Sequence, residues 1–170
     1  SSQYQSFKQY ISKAQITHLC LVDVFSSYLY DIKKIETLEC LDLTIKHELY
    51  ETTLDTTVWQ KLKSLKLVIN LSVKIKKVIV SSQLESLNIE TKEVLILITE
   101  DKFINLKILM LTNVDTDCKF VSATSLSSVK LHNTNIILQD IWTKIKYLDV
   151  LNVRRVPNTY IELETLSIKN

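Results

Sequence analysis

The sequence contains no glycine in 170 residues and a single proline. Without glycine there is no GxxxxGK[ST] phosphate loop, no GxGxxG dinucleotide turn and no GxSxG nucleophile elbow. The EF-hand loop, the GxxG nucleic-acid clamp and the glycine-bearing RNA-binding motif are excluded as well. Most catalytic and nucleotide-binding loops need backbone at positive φ beside a ligand, which glycine adopts at little steric cost. The sequence therefore predicts a protein that is not an enzyme and uses no cofactor. Alanine and arginine are almost as scarce, limited to Ala14, Ala123, Arg154 and Arg155, whereas lysine, isoleucine and asparagine are plentiful. That bias is what an AT-rich genome produces.

Strong charge of either sign is also missing. Net charge is +2 with 24% charged residues, too balanced to advertise nucleic acid or an anionic membrane as partner. The densest basic cluster, Lys74, Lys76 and Lys77, alternates with apolar residues as a solvated strand face does. Cysteines number three, Cys20, Cys40 and Cys118, an odd count without CxxC or CxxH spacing. This predicts reduced thiols rather than a disulfide framework or a zinc site. No apolar run reaches the ~18 residues of a membrane span, and no signal-peptide pattern opens the chain. Asn70-Leu71-Ser72 is a glycosylation sequon by pattern only. The expected location is intracellular, cytoplasmic or nuclear. Because the first residue is Ser1, the chain is expected to belong to a longer protein.

What the sequence does contain is a repeat. The pattern apolar-x-x-apolar-x-apolar occurs at Ile16/Leu19/Leu21, Leu38/Leu41/Leu43, Leu62/Leu65/Leu67 and Leu84/Leu87/Ile89. It continues at Leu106/Leu109/Leu111, Leu126/Val129/Leu131, Ile145/Leu148/Val150 and Leu163/Leu166/Ile168. Successive triplets are 22, 24, 22, 22, 20, 19 and 18 residues apart. Residues two apart share one side of a strand, and the first of each triplet lies where the chain enters it. A single unit cannot bury its apolar edge, so stacking in parallel builds the core one repeat at a time.

This motif and spacing resemble the leucine-rich-repeat family over residues 16–170. The irregular repeats, such as Leu106-Lys107-Ile108-Leu109-Met110-Leu111-Thr112-Asn113-Val114, look like those of F-box/leucine-rich-repeat proteins of fungi and plants. The family places asparagine or cysteine three residues after the third apolar position. Only Asn70 complies, while Asn113, Asn133, Asn152 and Asn170 sit one residue earlier. The resemblance implies an α/β solenoid with one parallel strand per repeat, strand-rich, with mixed helical and extended return segments. The expected organisation is a capping helix over residues 1–15 and about eight irregular repeats over 16–170. Return segment 47–61 has helical spacing at Leu49, Tyr50, Leu54, Val58 and Trp59, whereas 73–80 and 93–99 read as extended. Residues 136–144 fit one or two helical turns. The last repeat has no polar cap, which predicts a further domain or a partner over that edge.

No nucleophile has an identifiable base, and His18, His47 and His132 fall in different repeats or different parts of a repeat, so neither a catalytic nor a metal site is expected. Asp115, Asp117 and Cys118 read as a turn after a strand, Asp140 as a helix start and Trp142 as a core anchor. The resemblance implies that strand residues between the core positions project onto a concave sheet. There Ile108, Met110, Lys130, His132, Tyr147, Asp149 and Leu151 form a mixed apolar and charged patch, with Arg154 and Arg155 on the loop beyond. Exposed apolar clusters often mark contact sites, and arginine forks recognise carboxylate or phosphate. The convex side or an edge is the competing location. The expected function is a non-catalytic interaction or scaffold domain with a protein partner. If the F-box likeness extends to function, the role is substrate recognition in a ubiquitin-ligase-like assembly, although no F-box segment is recognisable. The alternative is a nucleic-acid- or chromatin-associated component using Lys74, Lys76, Lys77, Lys144, Lys146, Arg154 and Arg155. No membrane role is expected.

Overall fold

The computed structural model describes residues 2–11, 14–46, 52–70, 75–100, 102–137, 142–152 and 164–169. The chain is a strand-rich solenoid built on one parallel sheet. The strands β1 (His18–Val22), β2 (Cys40–Ile45), β4 (Ser64–Ile69), β6 (Ser86–Ile98), β7 (Ile108–Thr116), β8 (Ser128–His132), β9 (Tyr147–Leu151) and β10 (Thr165–Lys169) lie side by side in that order. Each carries one of the apolar triplets, and every pairing between neighbours is parallel.

Burial alternates along these strands, as the period-2 pattern requires. Equivalent residues stack in register: Leu41, Leu65, Leu87, Leu109, Val129 and Leu148 form one inward column, all buried. Leu43, Leu67, Ile89, Leu111, Leu131 and Val150 form the next. Each fully buried aliphatic side chain contributes about 1.5–3 kcal/mol of transfer free energy. In three repeats the position three residues before the triplet adds a larger anchor, Trp59, Phe103 or Trp142, all buried. Trp59 Nε1–H donates to the Ile32 carbonyl at 3.0 Å, and Trp142 Nε1–H donates to the Phe120 carbonyl at 3.1 Å. Each indole thereby ties its turn of the solenoid to an earlier one and satisfies its own buried donor.

The return side carries a second, narrower parallel ribbon. Strand β3 (Thr53–Asp55) pairs with β5 (Lys77–Ile79), which pairs with the far half of β6, which in turn pairs with the far half of β7. Leu54, Val78, Leu95, Leu97 and Val114 point into the core from this ribbon. Its margin at β7 is closed by a side chain: Asn135 Oδ1 accepts from the Thr116 N–H and its Nδ2 donates to the Thr116 carbonyl, both at 3.0 Å. The amide stands in for a further strand.

The extended readings of 73–80, whose residues 73 and 74 lie outside the described ones, and of 93–99 agree with β5 and β6. The helical reading of 47–61 does not: the described part, 52–61, is strand β3 followed by turns. Leu54 pairs with Val78, and the Thr56 N–H and hydroxyl both donate to the Ile79 carbonyl at 2.9 Å. Four threonines between 52 and 57 favour extended backbone over helix. His47, Leu49 and Tyr50 lie outside the described residues, as do residues 138–141, Asp140 among them, of segment 136–144. Helix α1 (Ser2–Ile11) matches the expected N-terminal helix, and Phe7 stacks obliquely on Tyr28 with centroids 4.8 Å apart. Tyr28 belongs to α2 (Ser26–Ile32), a helix the periodicity did not flag. Asp115 lies within β7, and Asp117 and Cys118 follow it.

Candidate interaction surface

Parallel in-register pairing settles which side chains share the outward face of the main sheet. Three rows cross β7, β8 and β9: Ile108, Ser128 and Tyr147; Met110, Lys130 and Asp149; Thr112, His132 and Leu151. The residues singled out on these strands are therefore neighbours on one patch. Arg154, Arg155 and Pro157 lie outside the described residues.

The centre of the patch is electrostatic. His132 Nε2 lies 3.1 Å from Asp149 Oδ1, a close contact of ring and carboxylate on side chains that are mostly shielded from solvent. The approach is off-axis for an aligned hydrogen bond, and Nε2 has no other partner. Burial alone raises the Asp149 carboxyl. His132, the Ser167 hydroxyl of β10 and Lys130 outweigh that and hold it below the usual carboxylate range. Apolar Ile108, Met110, Tyr147 and Leu151 surround this charged centre, with Tyr147 the most exposed of the four. Protein contact surfaces mix apolar anchors with polar and charged groups in the same way.

A second exposed apolar group lies on the return ribbon. Val94, Ile96 and Ile98 are 62%, 45% and 41% exposed along one strand, and Lys77 and Asp115 flank Ile96 in register. The continuous β-branched and leucine run over 93–99 reads as extended, but the sequence could not tell which side the next layer would cover.

Lysines are extensively paired. At the residue following each first triplet position, Glu39, Lys63, Glu85 and Lys107 alternate in sign up the stack. Lys63 reaches Glu39 at 2.9 Å and Lys107 reaches Glu85 at 2.7 Å. Farther along, Lys146 reaches Glu164 at 3.0 Å in the same column. Hydrogen bonding to Lys63 lowers Glu39, hydrogen bonding to Lys107 lowers Glu85, and hydrogen bonding to Glu39 raises Lys63. On the outward face Lys66 pairs with Asp42 at 2.7 Å, and near the return ribbon Lys76 pairs with Glu93 at 3.4 Å. This alternation was present in the sequence and becomes visible once charges are aligned on the triplet register.

His18 and His132 both face outward, five strands apart in the sheet, and His47 lies outside the described residues. Among the described residues, no three or more His, Cys, Asp or Glu side chains are grouped to hold a metal ion. Among them, too, no helix is long and apolar enough to cross a membrane. No protein-family model, no curated protein and no solved structure matches this chain.

Proposed function

We propose that this solenoid is an irregular leucine-rich-repeat module that binds a protein partner and catalyses nothing. The observation that carries the reading is the β7–β9 patch, where Ile108, Met110, Tyr147 and Leu151 ring the Asp149–His132 contact on one continuous strand face. Three left-handed asparagines at equivalent turns, Asn113, Asn133 and Asn152, support the family-level part of it. A role as substrate-recognition or scaffold domain in a ubiquitin-ligase-like assembly follows from the F-box likeness and rests on it alone. The exposed Val94, Ile96 and Ile98 favour a second reading in which the return ribbon is the contact face.

Quantitative affinity capture on the purified chain decides between them. Tyr147→Asp with Met110→Asp is expected to abolish capture of the partner, while Ile96→Asp leaves it intact. The reverse pattern assigns the return ribbon, and capture unchanged by both sets removes the proposal. Nucleic-acid association is disfavoured because Lys76 and Lys146 are already ion-paired. Binding to duplex DNA at low ionic strength, lost steeply with added salt, would reinstate it.

A further inference from the structure

Residues 20 apart in sequence are brought together at the other end of the sheet. On β1 and β2, His18 lies opposite Cys40 and Cys20 lies opposite Asp42. Two of the chain's three cysteines thus sit on adjacent strands, offset by two residues and on the same outward face. Cys20 is exposed and Cys40 half-buried. Both line one shallow depression of about 360 Å³ together with His18, Asp42, Ser64 and Lys66. The competing ligands around them are engaged: Asp42 holds Lys66 at 2.7 Å, and His18 Nδ1 lies 2.9 Å from the Thr17 hydroxyl.

Sheet geometry sets what two such thiols can do. A strand spacing of ~4.8 Å and a two-residue advance of ~6.6 Å put the two Cα atoms ~8 Å apart. That exceeds the ~7 Å beyond which a disulfide needs backbone movement. Two metal–thiolate bonds of ~2.3 Å each span a gap that a ~2.05 Å S–S bond does not. A four-ligand zinc cage is not available here, since no three ligating groups converge among the described residues. Soft thiolates select monovalent copper and its relatives, which accept two sulfur ligands.

We propose that Cys20 and Cys40 form a two-thiolate site for a soft monovalent cation of the copper(I) class. On binding, each thiol gives its proton to solvent as its sulfur forms one bond to the cation. No electron is transferred.

The test is anaerobic titration of the reduced chain with Cu⁺ against a chromophoric chelator, and with Ag⁺ as a redox-inert substitute. One tight equivalent with a near-ultraviolet thiolate-to-metal band is expected. Cys20→Ser and Cys40→Ser should each lose that equivalent, with unchanged circular dichroism because both positions face outward. Cys118→Ser should keep it, since Cys118 is buried and its Sγ accepts from the Phe120 N–H. The proposal is overturned by no tight binding to the wild-type chain. Binding that survives in the Cys20→Ser/Cys40→Ser double variant and disappears with Cys118→Ser overturns it equally.

Discussion

At the scale of single residues, the missing glycine has a specific replacement. Five of the described residues adopt left-handed backbone: Asp23, Asn113, Phe120, Asn133 and Asn152. Asparagine and aspartate tolerate this region best among residues with a Cβ, and four of the five are of that type. The asparagines also bond to one another. Asn152 Nδ2 donates to Asn133 Oδ1 at 2.6 Å, Asn133 Nδ2 donates to Asn113 Oδ1 at 2.9 Å, and Asn113 Nδ2 donates to the Thr91 carbonyl. A glycine would supply the φ angle and none of this ladder. Asn133→Ala is therefore expected to cost about 2 kcal/mol, from the strained φ and the two lost amide bonds. Asn133→Gly should cost about 1 kcal/mol, because only the bonds are lost. Urea denaturation of the two variants checks the order; equal losses would remove the left-handed requirement from the explanation. The one-residue displacement of these asparagines was legible in the sequence. Their left-handed backbone was not, since an apolar pattern carries no sign of φ. Phe120 is the exception in kind. Its ring stacks on Phe103 at 5.0 Å, its N–H donates to Cys118 Sγ and its carbonyl takes the Trp142 donor, so packing and backbone hydrogen bonds together hold it there.

At the scale of elements, parallel in-register stacking puts each side chain directly beside its counterpart in the next repeat. Like charges in one column then repel, and alternation is the remedy. Glu39, Lys63, Glu85 and Lys107 follow that rule. Lys63→Glu places three carboxylates in succession and is expected to lower the melting temperature at low salt. The deficit should shrink toward zero near 1 M salt, where screening acts within ~3 Å. A salt-independent deficit would assign the loss to something other than charge. The pH dependence has two limbs. Glu39 and Glu85 have folded pKa values below the ordinary 4.5, so their contribution is complete above 4.5 and fades as pH falls through the lowered values. Lys63 is raised above 10.5, so its contribution is complete below 10.5 and fades as pH climbs through the raised value. Stability carried by this column should be level between the limbs, and Glu39→Gln with Glu85→Gln should flatten the acid limb in thermal melts taken across pH. The strands themselves were readable from the triplets because burial on one face enforces period 2. Return segments were less so: Leu54, Val58 and Trp59 fit helical spacing, yet Leu54 is held by a ribbon whose other strands lie 20 or more residues away. The β7–β9 patch could be assembled from register alone, whereas the His132–Asp149 contact at its centre needed the side chains.

For the whole molecule, a stack in which each turn touches its neighbours has a stability that depends on position along it. Interior turns are supported on both sides and end turns on one. Leu87 and Leu166 occupy the same column, the second position of their triplets, which makes them a matched pair. Leu87 is fully buried between Leu65 and Leu109. Leu166 lies beside Leu148 alone among the described strands and is 53% exposed, as Ile168 is 46% exposed. Leu87→Ala is expected to cost about 2–5 kcal/mol through lost transfer and a cavity that the flanking strands hold open. Leu166→Ala should cost about 1 kcal/mol, because roughly half its surface is already in water. Hydrogen exchange reads the same asymmetry without mutation. Amides of β4 to β8 should exchange slowest, and those of β10 fastest among the sheet strands, because opening the last turn breaks only its pairing with β9. In the Leu87→Ala chain, protection should fall on both sides of β6, while Leu166→Ala should alter β9 and β10 only. Protection that is uniform from β1 to β10, or that falls everywhere with Leu166→Ala, would mean the solenoid unfolds as one cooperative unit and that its end turn is supported by more than β9.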